Sequence, residues 1–261
     1  MSATTRSIEE LDRDEAAFLA RPHKYQSLQS EARKIWAEEQ KISVSSGEDG
    51  WSRLAQHTVP KPNPNPKGET RPIGMEIISA LRRHLANLQG TRCCYCRRWL
   101  QNIAHARPVE HILSRDDYSR FSLHYRNLAL ACRDCNQQKS NKNWTTWDQT
   151  AAAYPLPEEA KDYFHPRLHV YDGHIRYVRV ETNDAAIAIY QGLTEQGRQL
   201  CRDHLKKISQ VDALFKNNRQ LSGAIERLQA AGDNPEEAEK VKLNEFVDAL
   251  HEAIYRIARD R

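Results

Sequence analysis

Two pairs of cysteines carry the strongest chemical signal in the chain. Cys93 and Cys96, in Cys93-Cys94-Tyr95-Cys96, have the same spacing as Cys132 and Cys135, in Cys132-Arg133-Asp134-Cys135. Two residues between thiolates let a tight turn aim both sulfurs at one cation. Two such pairs complete a tetrahedral shell of four sulfurs, the shell of structural Zn²⁺. Cys94 stands beside the first pair as a competing ligand, and Cys201 reads as a core residue. A redox Cys-x-x-Cys would be a single pair next to a βαβ pattern, and this chain has two pairs without one. Thirty-five residues separate the pairs, more than the roughly 15 to 20 of a compact ribbon, so further structure is expected between them.

That insertion holds the remaining chemistry-bearing residues. Val109-Glu110-His111-Ile112-Leu113 reads as a strand, and a loop rich in Ser, Asp and Arg follows. Leu128-Ala129-Leu130-Ala131 reads as a second strand ending at Cys132, and Asn136-Gln137-Gln138-Lys139 opens a polar helical turn. The expected order is strand, strand, helix, with zinc tying the two ends together.

Cys-x-x-Cys, then Val-Glu-His-Ile, then Arg-Asn-Leu, then Cys-x-x-Cys-Asn-x-x-Lys resembles the HNH endonucleases, whose core is a ββα-metal fold. The resemblance covers about residues 92 to 144. It implies a metal-dependent nuclease in which His111, Asn127 and Asn136 fill the three motif positions. Glu110 stands where Asp is commoner, and Asn136 replaces the last histidine. Phosphodiester hydrolysis needs a base for water and a cation to offset charge on phosphorus and on the leaving oxygen. An imidazole titrates near pH 6.5, so His111 suits the base. Glu110 and Asn136 supply oxygens, which favour Mg²⁺ or Mn²⁺ over zinc. Asn127 can donate and accept, and so can orient the imidazole or its backbone. Neighbouring side chains on a regular strand point to opposite faces, so Glu110 and His111 share a site only where the strand ends or bulges. Lys139, Arg115 and Arg126 are candidate nucleic-acid contacts; His105 and His124 are weaker candidates. Residues 92–144 hold ten Lys or Arg against four acids, while the whole chain carries only +4. The basic excess therefore sits on the expected site, where it would neutralise phosphates.

The flanks must position this core. Residues 1–42 are charged and helix-favouring in two amphipathic stretches, an N-terminal helical arm. Residues 43–72 include five prolines and read as a linker. Residues 73–148 form the nuclease core, led by a helix with Ile77, Leu81, Leu85 and Leu88 at helical spacing and Gly90 as its stop. Residues 149–261 add a hairpin over 169–180 turning at Asp172-Gly173, then helices over about 184–207, 210–229 and 235–258. The fold class is α+β, mostly helical, around a small zinc-stabilised ββα core.

A looser similarity extends outward through Phe164-His165-Pro166 and the segment from Gly192 to Leu205. It resembles the HNH nuclease subunits of Septu-type anti-phage systems, which implies a defence nuclease acting with an ATPase partner. The competing readings are a stand-alone restriction or homing-type nuclease, a zinc-stabilised DNA-binding module without catalysis, and a structural adaptor in an oligomeric complex. Substrate DNA is expected, RNA is the alternative, and self-association is open. No run reaches the roughly 18 to 20 apolar residues of a membrane helix, and acids occupy the first thirty residues where a signal peptide would be apolar. The expectation is a cytoplasmic protein without a membrane partner. Six cysteines, five of them within 43 residues, fit a reducing compartment.

Overall fold

The computed structural model describes residues 4–61, 68–100, 108–140, 142, 144–181 and 186–208. The chain divides into two compact units, Thr5–Val170 and a second that joins the N-terminal residues to Tyr171 onwards.

The first unit begins with α1 (Ile8–Ala20). Its start is set by Ser7, whose hydroxyl accepts from Glu10 N at 3.2 Å while the Glu10 carboxylate accepts from Ser7 N at 3.0 Å, a reciprocal cap. Leu11 and Phe18 are buried on one face. Helix α2 (Gln29–Ser46) buries Ala32, Ile35, Trp36, Glu39 and Ser43, a run at helical spacing, and stops at Gly47 in the left-handed region (φ 74°). The arm of residues 1–42 is thus built into the core through Leu11, Phe18 and Trp36, with the Phe18 and Trp36 rings edge-to-face at 5.1 Å.

Within residues 43–72, where proline content points to a linker, stand helix α3 (Gly50–Gln56) and a two-strand pair, β1 (Val59–Pro60) with β2 (Thr70–Arg71). Prolines 62, 64 and 66 lie outside the described residues. Asp49 makes α3 possible by accepting from Trp51 N at 3.0 Å. Helix α4 (Ile73–Leu88) packs against α3 at Gly74, where a Cβ would lie 1.7 Å from Leu54 O, so the two backbones meet with no room for a side chain. Ile73, Ile77, Leu81 and Leu85 are fully buried, whereas Leu88 is 41% exposed. The stripe ends one turn sooner than its spacing suggests because the helix stops there, with Gly90 and Thr91 both at positive φ and Thr91 N donating to Ala86 O at 2.7 Å.

The centre is strand, strand, helix, as the sequence order predicts. β3 (Val109–His111) pairs antiparallel with β4 (Leu128–Leu130), placing Glu110 opposite Ala129 and His111 opposite Leu128, and α5 (Arg133–Lys139) follows. The Gln89 carboxamide, just past α4, accepts from Leu130 N at 2.8 Å and donates to Leu130 O at 2.9 Å, satisfying the backbone of β4 and anchoring α4 to it.

In the second unit, α6 (Tyr171–His174) leads into β5 (Ile175–Glu181), paired antiparallel with β6 (Ala186–Gly192). Asp172-Gly173 is therefore part of a short helix and not the turn of a hairpin, and the first third of the expected 184–207 helix is strand. The reason lies in composition: Ile187, Ile189 and Tyr190 favour a pleated surface, and Tyr190 stands opposite Tyr177 with ring centroids 5.2 Å apart. Helix begins only at Thr194, whose hydroxyl caps α7 (Glu195–Leu200), and continues through a wide turn at Cys201–Leu205 into α8 (Lys206–Ile208). The helices expected over 210–229 and 235–258 lie outside the described residues. No helix among the described residues is long and apolar enough to cross a membrane.

Gly74→Ala should lower stability by about 1–3 kcal/mol, because the added methyl meets backbone that cannot yield; a chemical-denaturation midpoint equal to wild type would show that α3 and α4 can separate at no cost.

Candidate functional site

Four sulfurs converge where the two ends of the core meet. The Sγ atoms of Cys93, Cys96, Cys132 and Cys135 lie within 4.8 Å of one another, with Cys96 and Cys132 3.7 Å apart. A tetrahedron with Zn–S bonds of about 2.3 Å has edges of roughly 3.8 Å, so the cage fits a zinc ion. The first pair is shaped by Arg97 at φ 57°, which lets Arg97 N reach Cys93 O at 3.1 Å and brings Cys93 N to Arg98 O at 2.9 Å. The second sits at the start of α5, where Cys135 N donates to Cys132 Sγ at 3.5 Å. Cys94 is outside the cage, its amide bound to Leu130 O, so the competition between Cys93 and Cys94 falls to Cys93. Burial by itself would raise the Cys93 thiol, but hydrogen bonds from Cys132, Cys135 and their neighbours carry it well below the usual range. Burial raises the Cys94 thiol, which marks it as a protonated core residue. Burial also raises the thiol of Cys201, which is half-buried in the second unit.

Beside the cage lies a cavity of about 520 Å³ lined by Val109, Glu110, His111, Ser114, Arg115, Asp116, Asn136, Gln137 and Ser140. It brings Glu110, His111 and Asn136 together, although the strand still sends the first two in different directions. His111 turns toward the loop after β3, where its Nε2 lies 3.0 Å from Ser122 O. A carbonyl only accepts, so Nε2 carries the proton and Nδ1 keeps the lone pair. Among the described residues Nδ1 has no hydrogen-bond partner. Burial first and the charge of Arg115 second push the His111 pKa down to about 3, so the ring is neutral at physiological pH.

Glu110 turns inward and is 3% exposed. Its Oε1 takes the Tyr95 hydroxyl at 3.1 Å and Lys139 Nζ at 2.8 Å. Burial raises its pKa and Lys139 counters that. Oε2 makes no hydrogen bond among the described residues, nor does the Asn136 carboxamide. Oxygen donors of a carboxylate and a carboxamide at a cavity wall, with Asp116 beside them, are the chemistry Mg²⁺ or Mn²⁺ prefers, so these residues fit such an ion. Lys139, a candidate phosphate contact by sequence, is instead 1% exposed, held by Glu110 and by His111 O at 2.9 Å. Arg115 does line the cavity and is braced by Asp49 at 3.2 Å. Arg126 lies off the cavity wall and pairs with Asp12 of α1 at 2.5 Å. His105 lies outside the described residues.

Asn127 does not touch the imidazole. It is fully buried, its Oδ1 accepting from Leu113 N at 2.7 Å and its Nδ2 donating to Leu113 O and Phe121 O, both at 3.1 Å. It thereby closes the loop whose far side offers Ser122 O to His111. Behind it runs a directed chain. His165 Nδ1 accepts from Arg167 N and Leu168 N at 3.2 Å each, so Nε2 donates to the Tyr154 hydroxyl at 2.7 Å, which donates to Asn127 Oδ1 at 3.1 Å. His124 is stacked on the Tyr154 ring at 4.1 Å, a packing role.

Several residues that shape the site escape a reading of motifs. The Trp51 indole stands edge-on to the His111 ring at 4.8 Å. Ser122 Oγ accepts from Gly50 N at 2.9 Å and lies 3.2 Å from the buried Ser43 Oγ, so α2 and α3 jointly fix the peptide that holds His111. Gly50 admits a close approach: a Cβ there would lie 2.9 Å from Leu123 Cδ1 and 3.0 Å from Ser43 Cβ. The usable signal in the sequence is Asp49-Gly50, a capping residue followed by one that admits close approach.

Metal analysis should find one zinc per chain in wild type and in Cys94→Ser, and zinc lost in Cys96→Ser; zinc lost in Cys94→Ser would reassign the cage. Acid should destabilise the fold. His111 and His124, each pushed down to about 3 chiefly by burial, and His165, pushed well below its usual value by burial, stay unprotonated when folded. The unfolded chain takes up these protons near pH 6.5, so stability falls as pH drops from about 6.5 toward 3. Urea midpoints at neutral pH and pH 5 read this directly, and equal midpoints would count against buried neutral histidines.

Compared with known proteins, residues 93–142 match the model of the HNH endonuclease family. No curated protein and no solved structure matches the chain. Residues 93–142 are thus similar to an HNH endonuclease domain, and the four-cysteine cluster fits the zinc frame of such a domain.

Proposed function

We propose that the chain is a metal-dependent endonuclease that hydrolyses DNA phosphodiester bonds with His111 as general base. The observation that carries this is the placement of the imidazole, fixed at Nε2 by Ser122 O and bordering the same cavity as Glu110 and Asn136. Nδ1 is then the atom that takes a proton from the attacking water. Glu110 and Asn136 would hold Mg²⁺ or Mn²⁺, whose chemistry is to offset negative charge on the phosphate and on the leaving oxygen. Arg115, braced by Asp49, offers a cation to the phosphate. Asn127 acts at one remove by holding the Leu113–Phe121 loop, and Lys139 acts by fixing Glu110. Arg126 is paired with Asp12 away from the cavity, and the basic balance of residues 92–144 favours a polyanion.

The finer biological reading is a defence effector acting with an ATPase, in the manner of the Septu-type systems. Its support is the order of the outer motifs, which also have packing reasons: His165 anchors Tyr154, and Gly197 lies where a Cβ would come within 1.9 Å of His174 O. Dependence of cutting on an added ATPase tests it. Because residues 8–46 contribute to the core, a docking role for the arm is better probed at Ile42 and Val44, exposed at 37% and 41%, than by deletion.

Supercoiled DNA with Mg²⁺ or Mn²⁺ should be nicked or linearised. His111→Ala should reduce the rate by about 10² to 10⁴, and Asn136→Ala should raise the metal concentration required. A His111→Ala protein that cuts at the wild-type rate would remove the base assignment. Folded, zinc-loaded protein that leaves DNA intact but cuts RNA would move the substrate class.

A further inference from the structure

The zinc turn carries a feature that neither metal binding nor catalysis uses. The segment from Arg92 to Leu100 is closed by an antiparallel bridge between Arg92 and Trp99 and by Leu100 N donating to Thr91 O at 2.8 Å. Alternation across that closure sends Leu100 inward, 3% exposed, and Trp99 outward, 62% exposed, the highest exposure of any large apolar side chain among the described residues. The Arg92 guanidinium lies 4.1 Å from the indole centroid, and its Nη1 donates to Arg97 O at 3.1 Å. The indole is thus held by a bridge and a cation rather than by burial, and most of its surface faces solvent. Its surroundings are cationic: Arg97 and Arg98 precede it, no acid occurs between Arg92 and Val109, and Arg98 joins this turn to α5 through Asp134 at 3.0 Å.

An exposed indole contributes little to stability, while water contact with so large an apolar ring is unfavourable. A rigid aromatic with arginines beside it is the pairing that binds single-stranded nucleic acid, the ring stacking on a base and the guanidinium groups meeting phosphates. An acidic protein surface would satisfy the arginines and leave the planar ring without a matching face. We propose that Trp99, backed by Arg92, is a stacking platform for an unpaired base of the nucleic acid strand handled by this protein. The proposal rests on the nuclease reading and adds to it a contact outside the cavity lining.

The test uses the full zinc-loaded chain carrying His111→Ala, so that the strand is not cut, and a short fluorescein-labelled oligothymidylate followed by anisotropy. Adding Trp99→Ala should weaken binding about tenfold, the loss of roughly one stacked base, and Trp99→Phe should recover most of it. Zinc content and melting temperature should be unchanged, since the ring is not core. Equal affinity for Trp99→Ala and its parent overturns the platform, and so does a parent that does not bind the strand. If His111-dependent cutting of plasmid persists in either case, the nuclease reading stands alone. Trp99-dependent binding without cutting by wild type under Mg²⁺ or Mn²⁺ removes the nuclease and keeps the platform.

Discussion

The segment that matches the HNH family contains very little regular structure, and this constraint governs the rest of the first unit. Strands β3 and β4 have three residues each, and α5 has seven. A two-strand pair of that length and a two-turn helix are not stable alone in water. Closure comes from elsewhere. A zinc ion in the four-sulfur cage would join the turn before β3 to the start of α5, converting a long loop into a short one and lowering the entropy of the unfolded chain. Side chains supply the rest, each carboxamide doing work that a third strand would do in a larger sheet: Gln89 on the backbone of Leu130, Asn127 on Leu113 and Phe121.

This makes the helices before the core part of the site and not a separate arm. Ser43 of α2, Gly50 of α3 and Ser122 of the loop meet in one buried polar contact, and the carbonyl of Ser122 is what holds His111. Buried hydroxyls need partners, and here they find backbone groups whose positions then become fixed. Glu39 adds a second tie between α2 and α3, accepting from Arg53 and His57 at 2.8 Å each. Burial raises its carboxyl, but His57 and Arg53 outweigh that and hold it below the usual range.

Charge is divided between structure and surface. Lys139 and Glu110 form a buried pair at 2.8 Å, and such pairs are specific in geometry because removal of either partner leaves an uncompensated charge. Arg126 and Arg167 are spent on Asp12 and Asp14 of α1. Arg115, by contrast, lines the cavity while paired with Asp49.

The sequence by itself determined the two Cys-x-x-Cys pairs and the strand, strand, helix order, because such a turn depends on neighbours a few residues apart, whereas the structure decided for Cys93 over Cys94 in the cluster. It also placed the stop of α4 just before Gly90, which takes the left-handed backbone conformation (φ 58°) that favours glycine. The tertiary structure alone decided which candidate polar residues face the cavity. Lys139, Arg126 and Asn127 are indistinguishable from surface groups in the sequence. Their partners, Glu110, Asp12 and the Leu113–Phe121 loop, lie 6 to 114 positions away, and only packing brings them together. The β5–β6 pairing was hidden for a related reason. Asp172-Gly173 is a strong local turn signal, but strand register over Ile175–Glu181 and Ala186–Gly192 is set by contacts between strands, which override a dipeptide preference.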